Sequence, residues 1–384
     1  MQRITLYLLF LFLLWRMFLF VPLWFGSTLF SYREGYDYTS IWKFIKPYSP
    51  VDSVFLYPWA NFDGVYYLSI ASNGYTVDNA GFFPVFPFLI RLLAGIFGQG
   101  EQFGKIQFFS ALFIVHASFF TSLVVFYKLL RFNYNHKISM RVIFFLLVFP
   151  TSFYFVSIYT ESVFFLLSVL SFYFARKKQW AASSVSAIIL SATRIVGIAI
   201  FPVLLYEFFK QEKTFRTARI IPLLLIPLGI TSYGLFNLWQ WGDFFHFLQI
   251  HGTLGNSRST DSIILFPQTI FRYIKILISV SPSVYEWWIA LLEFGVFFLA
   301  VFLFYVAWKK KIRFSYLLFA LLSFLIPISS GTFTGLPRYV VVLFPLFIVS
   351  ALIKSKWLRF AYVTVSIVLL GLLLMLFSLG YFVA

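Results

Sequence analysis

The sequence predicts an all-α, polytopic integral membrane protein of about 11 transmembrane helices, within a range of roughly 9–12. Three observations predict it. Hydrophobic residues make up 61% of the 384 residues and only 11% are charged, whereas a soluble domain is about one quarter charged. Aromatic residues reach 23%, led by 55 phenylalanines, which suits interface anchors and bulky lipid-facing groups. The basic residues fall in short clusters between long apolar runs.

A membrane-spanning helix needs about 20 predominantly apolar residues. The runs that qualify are 4–30, 105–130, 140–157, 160–175, 219–240, 284–308, 314–330, 337–353 and 359–383. The first is too long for a signal-peptide core and carries no small-residue cleavage site, so it reads as a retained span. The run 180–209 breaks near Thr193-Arg194 and reads as two short helices, out and back, with Arg194 near the turn.

The excess of Lys and Arg in cytoplasmic loops sets the path. Five linkers are strongly basic: Lys128 to Arg141, Arg176 to Lys178, Lys210 to Arg219, Lys309 to Arg313 and Lys354 to Arg359, with Glu212 their one acid. All five lie in the cytoplasm only if 80–98 rests at or dips into the outer surface without crossing. The N-terminus is then inside and the C-terminus outside. The stretch 263–280, with Arg272 and Lys275, reads as an interfacial helix on the outer side. No internal repeat stands out, so 1–384 reads as a single transmembrane domain. Its first extracytoplasmic loop, 31–104, holds juxtamembrane helices.

Within that loop, residues 59–91 read as neither a span nor a short connection. Asp63, Tyr67 and Ile70 recur at helical spacing and share one face of a helix predicted over 61–73. Asn61 is its predicted N-cap and Asn73-Gly74 its predicted stop. An amphipathic helix at the membrane surface would hold the Asp63 carboxylate over a site. The alternative is an ordinary interfacial helix with a solvated aspartate.

The net charge of +17 forms no stripe on a soluble face, so nucleic acid is rejected as a partner in favour of membrane lipids. With no cysteine, disulfides, thiolate nucleophiles and cysteine-based metal sites are excluded. There is no GxxxxGK[ST] and no GxGxxG, which argues against nucleotide hydrolysis. The four histidines form no ligand cluster, and Asp63 has Phe62 and Gly64 beside it rather than a second acid. No cofactor is therefore predicted, a divalent cation included.

The topology brings Asp63, Asp78, Glu161, Arg194, Asp243 and Arg338 to the outer side. Polar groups at membrane depth are costly and usually line a cavity. Arginine forks clamp phosphate oxygens, and a carboxylate serves as general base for an attacking hydroxyl. Each also has a plainer reading. Glu161 suits a helix N-terminus, Arg194 and Arg338 suit head groups reached by snorkelling, and Asp243 after Gly242 suits a turn. Arg16, in the first span, and His116, in the second, each read as satisfying some buried partner, Arg91 reads as interfacial, and Glu207 and Glu293 fall in spans but receive no role.

Several short motifs in order carry a resemblance. They are Phe62-Asp63-Gly64 with Tyr66-Tyr67 and Ile70-Ala71, then Asn73-Gly74-Tyr75 and Phe82-Phe83-Pro84. Tyr159-Thr160-Glu161-Ser162, Thr193-Arg194 with Gly197, Gly242-Asp243, and Pro337-Arg338-Tyr339 with Phe344-Pro345 follow. Together they resemble the PIG-V-like mannosyltransferases of the GT-C superfamily, over residues 62 to 345. Phe62 stands where that family usually has Trp, and Tyr66 where His is common. The first change keeps an aromatic ring; the second removes an imidazole.

The resemblance implies a GT-C-like fold and a polyprenyl-phosphate sugar donor. It also implies an acceptor that is a glycolipid or glycan. Asp63 would be the general base, and Tyr66, Tyr67, Glu161, Arg194, Asp243 and Arg338 would line the substrate site. The expected activity is inverting transfer of a hexose, most simply mannose. It would take place at the extracytoplasmic or lumenal face of a plasma, inner or endoplasmic-reticulum membrane. The alternatives are a transporter or flippase of a lipid-linked sugar, using the same arginines without a base, and a non-catalytic scaffold.

Overall fold

In the computed structural model, residues 2–41, 52–98, 104–212, 217–253, 258–259, 262 and 264–384 are described. Lys213 and Arg216 of the third basic linker, and the side chain of His251, lie outside the described residues. The first half of the chain forms α1 (Gln2–Phe18), α2 (Phe20–Leu29), α3 (Tyr36–Thr39), α4 (Asp63–Asn73), α5 (Val85–Ile96), α6 (Lys105–Leu130), α7 (His136–Leu147), α8 (Glu161–Arg176) and α9 (Trp180–Ser191). The second half forms α10 (Ile200–Gln211), α11 (Thr217–Leu224), α12 (Leu228–Trp241), α13 (His246–Thr253), α14 (Phe266–Ser279), α15 (Tyr285–Lys309), α16 (Phe314–Ile328), α17 (Leu336–Val340), α18 (Phe344–Ala351) and α19 (Lys356–Ser378). Among the described residues the only extended pairing is an isolated bridge between Ile264 and Ser330.

Five helical stretches are long and apolar enough to cross a membrane: Gln2–Leu29, Lys105–Leu130, Ala218–Trp241, Tyr285–Lys309 and Lys356–Ser378. A helical, membrane-embedded protein has this make-up. The first shows how lipid and protein divide a helix. Leu8, Phe12, Trp15 and Leu19 are buried, whereas Leu6, Phe10, Leu13 and Met17 are exposed. Both stripes follow helical spacing. Exposed leucine and phenylalanine over such a length suit a hydrocarbon surround and not water. The run from Ala218 is interrupted after Leu224, with Pro222 inside α11 and Pro227 at the cap of α12 each lacking a backbone donor.

Several other apolar helices are short. The 12 residues of α5 extend about 18 Å, against a hydrocarbon core of about 30 Å. Alone, α5 is shorter than that core, as are α9 and α16. The run 180–209 is broken as its sequence predicted, into α9, a 3-10 turn Ile195–Ala199, and α10.

The chain divides into two compact units. Unit 1 comprises Met1–Thr76, Phe82–Tyr173 and Lys354–Val383, and unit 2 comprises Val77–Gly81, Phe174–Ile353 and Ala384. In unit 1, α2 lies along α19, and α5 packs on α4 and α6. In unit 2, α9 packs on α11 and α12, α10 on α16, and α15 on α14 and α18. Glu207 of α10 is 0% exposed and is bound by Arg313 and Gln211. That ion pair fastens α10 to the start of α16 and gives this intramembrane acid a structural partner.

Candidate functional site

Unit 1 holds the Asp63 segment. The predicted cap is wrong: α4 starts at Asp63, and the side chain of Asn61 does not cap it. Asn61 is fully buried. Its Nδ2 donates to the Phe377 carbonyl at 2.8 Å, and its Oδ1 accepts from the Tyr36 hydroxyl at 3.4 Å. The residue serves as a tie between distant segments, which a local pattern does not reveal. The predicted stop is right: Gly74 ends the helix with φ +85°.

Between Asn61 and Asp63, Phe62 takes φ 58° and ψ −114°, where a bulky L-residue is strained. Its amide donates to the Thr39 carbonyl at 2.7 Å, and its ring lies against Phe377 and Phe382. The surroundings therefore fix a backbone kink immediately before Asp63.

The Tyr159 motif is strapped to the same place. Ile158 N donates to the Trp59 carbonyl at 2.7 Å, and the Tyr159 hydroxyl donates to the Asn61 carbonyl at 2.9 Å. Gly64 lies so close that an added Cβ would stand 3.3 Å from the Ile158 carbonyl oxygen, so the glycine permits α4 to start against this strand of chain. Glu161, 1% exposed, is the first residue of α8. Two motifs about a hundred residues apart thus meet, one bearing Asp63 and the other Glu161. Tyr66 is 41% exposed and stacks on Phe82 with centroids 4.7 Å apart. Tyr67 is buried and meets Phe82 and Phe86 edge-on. Of the two, only Tyr66 presents much surface to a ligand.

Unit 2 holds the arginines. The joint at Thr193-Arg194 has a plain cause. The Leu190 carbonyl accepts from Thr193 through both its amide, at 3.1 Å, and its hydroxyl, at 2.6 Å. An added Cβ on Gly197 would lie 2.2 Å from that same oxygen. The threonine stops α9, the glycine lets the next turn press on the stop, and Arg194 extends from between them with φ −159°.

Arg338, 9% exposed, sits in α17 after Gly335. The two predicted arginines converge on one ring: their guanidinium carbons lie 5.0 Å (Arg194) and 5.4 Å (Arg338) from the Tyr339 centroid. A third, Arg258, lies 5.5 Å from it. Its Nη2 donates to the Tyr339 hydroxyl at 3.0 Å and to the Thr334 carbonyl at 2.9 Å, while its Nε has no hydrogen-bond partner among the described residues. Sequence reasoning missed Arg258. It comes from a polar stretch between helices with no local signal. Three guanidinium groups thus gather around one aromatic ring, and arginine forks are the side chains that best match an oxyanion.

The pair Tyr273 and Glu293 is a second omission. The Tyr273 hydroxyl donates to Glu293 at 2.5 Å, and Gly335 N donates to the other carboxylate oxygen at 3.0 Å. Burial, and then the adjacent carboxylate, push the Tyr273 phenol up, so it remains a protonated donor. The signal that could have found the pair was Glu293 itself, an acid at membrane depth that needs a partner.

The other predicted residues are elsewhere in the same unit. Asp243 accepts from Phe245 N at 2.8 Å in a turn after Gly242, whose φ is +78°. Asp78 sits in the 3-10 turn Val77–Asn79, which is held within unit 2, with the Ala80 carbonyl accepting from Tyr233 at 2.7 Å and the Val77 carbonyl 3.0 Å from His246 Nε2. Among the described residues no group of three His, Asp or Glu side chains is placed to hold a metal ion.

No family profile matches this sequence, and no curated protein and no solved structure matches it. What each unit can do therefore rests on its own chemistry: unit 1 holds a carboxylate behind a strained residue, and unit 2 holds an arginine cluster.

Proposed function

We propose that this chain is a multi-pass membrane glycosyltransferase of GT-C type, with about 11 spans. It would transfer a hexose, taken as mannose from the PIG-V-like resemblance, from a polyprenyl phosphate to a glycolipid or glycan. The reaction would take place on the extracytoplasmic or lumenal side. The observation that carries the reading is the convergence of Arg194, Arg258 and Arg338 on Tyr339.

In this reading the arginines hold the phosphate of the donor and stabilise the charge that grows on it as the bond to the sugar breaks. Asp63 takes the proton from the acceptor hydroxyl. The hydroxyl oxygen attacks the anomeric carbon from the face opposite the phosphate, the carbon–oxygen bond to the phosphate breaks, and polyprenyl phosphate leaves. The configuration inverts. Tyr66, exposed and stacked on Phe82, offers an apolar face for a sugar. A lipid-borne donor needs no nucleotide pocket, in keeping with the absence of a phosphate-loop motif from the sequence.

The test uses the purified chain, labelled polyprenyl-phosphate mannose and a panel of glycolipid acceptors. Asp63→Asn is expected to lower turnover on the order of a thousandfold. Binding of a prenyl monophosphate should stay unchanged and the variant should fold. Turnover near that of the unsubstituted protein would remove Asp63 from the mechanism. Movement of the lipid-linked sugar across vesicles, with no transfer to any acceptor, would favour the flippase reading.

A further inference from the structure

We propose that Glu293 and Tyr273 are a positioning pair, holding the turn Thr332–Gly335 so that Arg338 and Arg258 face a phosphate group. The proposal rests on the phosphate-binding reading above and adds residues to which that reading gives no part.

Three consecutive amides in this turn are taken by side-chain oxygens. Phe333 N donates to the Tyr273 hydroxyl at 3.1 Å, Thr334 N to Thr332 Oγ1 at 3.1 Å, and Gly335 N to Glu293 at 3.0 Å. Tyr273 in turn donates to the second Glu293 oxygen. On the other side, Arg258 takes the Thr334 carbonyl. The turn is therefore gripped between a carboxylate–phenol pair and a guanidinium.

Its geometry passes directly to the cluster. The Gly335 carbonyl accepts from Arg338 N at 3.1 Å and from Tyr339 N at 3.2 Å, so the residue Glu293 holds is the one from which α17 starts. Glu293 is 3% exposed, in the middle of an apolar helix. An acid there is expensive, and packing alone would be served as well by leucine. A carboxylate differs in accepting two bonds at once, and in holding a backbone amide and a phenol through separate oxygens. Those are the properties needed to fix a turn that bears cations.

The experiment uses the full chain in lipid nanodiscs, with farnesyl monophosphate as the probe. Two quantities are read: its equilibrium binding, and hydrogen–deuterium exchange at Phe333, Thr334 and Gly335. Glu293→Ala and Tyr273→Phe should each speed exchange in the turn and weaken binding about tenfold. Glu293→Gln, which keeps an acceptor for Gly335 N, should recover much of the binding. Arg338→Ala should weaken binding with little change in exchange.

If Glu293→Ala speeds exchange but leaves affinity within about twofold, the pair is structural only and the proposal is overturned. Unchanged exchange overturns it as well. If Arg338→Ala leaves binding intact, the phosphate reading itself fails, and this proposal with it. Should Glu293→Ala not fold, Tyr273→Phe, which loses one hydroxyl, decides the matter by the same two readouts.

Discussion

The segment that carries Asp63 and the turn that carries Arg338 are held in opposite ways. Around Asp63 the ties run largely to main-chain carbonyls: Asn61 to Phe377, Phe62 to Thr39, Tyr159 to Asn61 and Ile158 to Trp59. Aromatic rings close around the kink at Phe62. Around Arg338 the ties are side chains that accept from the turn's amides, with a buried acid at their centre. The first arrangement is stiff because moving it means unpicking packed backbone. The second depends on a few polar atoms, each of which one substitution can remove. Damage to the Asp63 region should therefore appear as lost stability. Damage to the arginine turn should appear as lost ligand binding in a chain that still folds.

The comparison breaks sharply where unit 2 also relies on backbone contact, as at the joint beside Arg194. Gly197→Ala puts a methyl group on the Leu190 carbonyl oxygen, a rigid atom that cannot swing away. The expected cost is about 3 kcal/mol, read as a lower midpoint in thermal unfolding in detergent, with weaker prenyl-phosphate binding because Arg194 moves. A normal midpoint with normal binding would mean that the joint relaxes freely. Next in size is Asn61→Ala in unit 1, which removes the shorter of the two bonds to the Phe377 carbonyl, Gly380 N supplying the other, together with the acceptor for the Tyr36 hydroxyl. The expected loss is about 2 kcal/mol of stability, with farnesyl phosphate affinity unchanged. Weakened affinity at an unchanged midpoint would reverse the proposed contrast.

How much of this was legible in the sequence follows the same division. Helices with a composition of their own could be read: α6 occupies the predicted run 105–130, and the break at Thr193-Arg194 lies where it was expected. Gly74 stops α4 because a glycine past the last apolar turn is a local signal. Asn61 was misread because the same residue type that caps a helix can also tie two distant strands of chain. Its partner is more than three hundred residues away. Arg258 was invisible for that reason too, since Tyr339 lies 81 positions on. Glu293 falls in the predicted span 284–308 but received no role, because its partners at 273 and 335 obey no periodicity that links them to it. The site's residue types were written locally; what holds them was not.

The smallest expected effect is the most informative about Phe62. Its ring packs against Phe377 and Phe382, while its backbone sits at φ 58° and ψ −114°. A single substitution confounds the two, because any loss of the ring costs packing. Comparing Phe62→Ala with Phe62→Gly separates them, since both lack the ring and only alanine keeps the strain. Alanine ordinarily exceeds glycine in stability through its smaller unfolded-state entropy. Here the order should invert, with the glycine variant more stable by about 1 kcal/mol. If alanine is instead the more stable of the two, the kink costs little, and what precedes Asp63 is an ordinary turn. If glycine wins and Phe62→Gly also retains turnover, the strain is a by-product of packing the ring. If glycine wins but turnover falls, the ring is what holds the kink, and with it the carboxylate, in place.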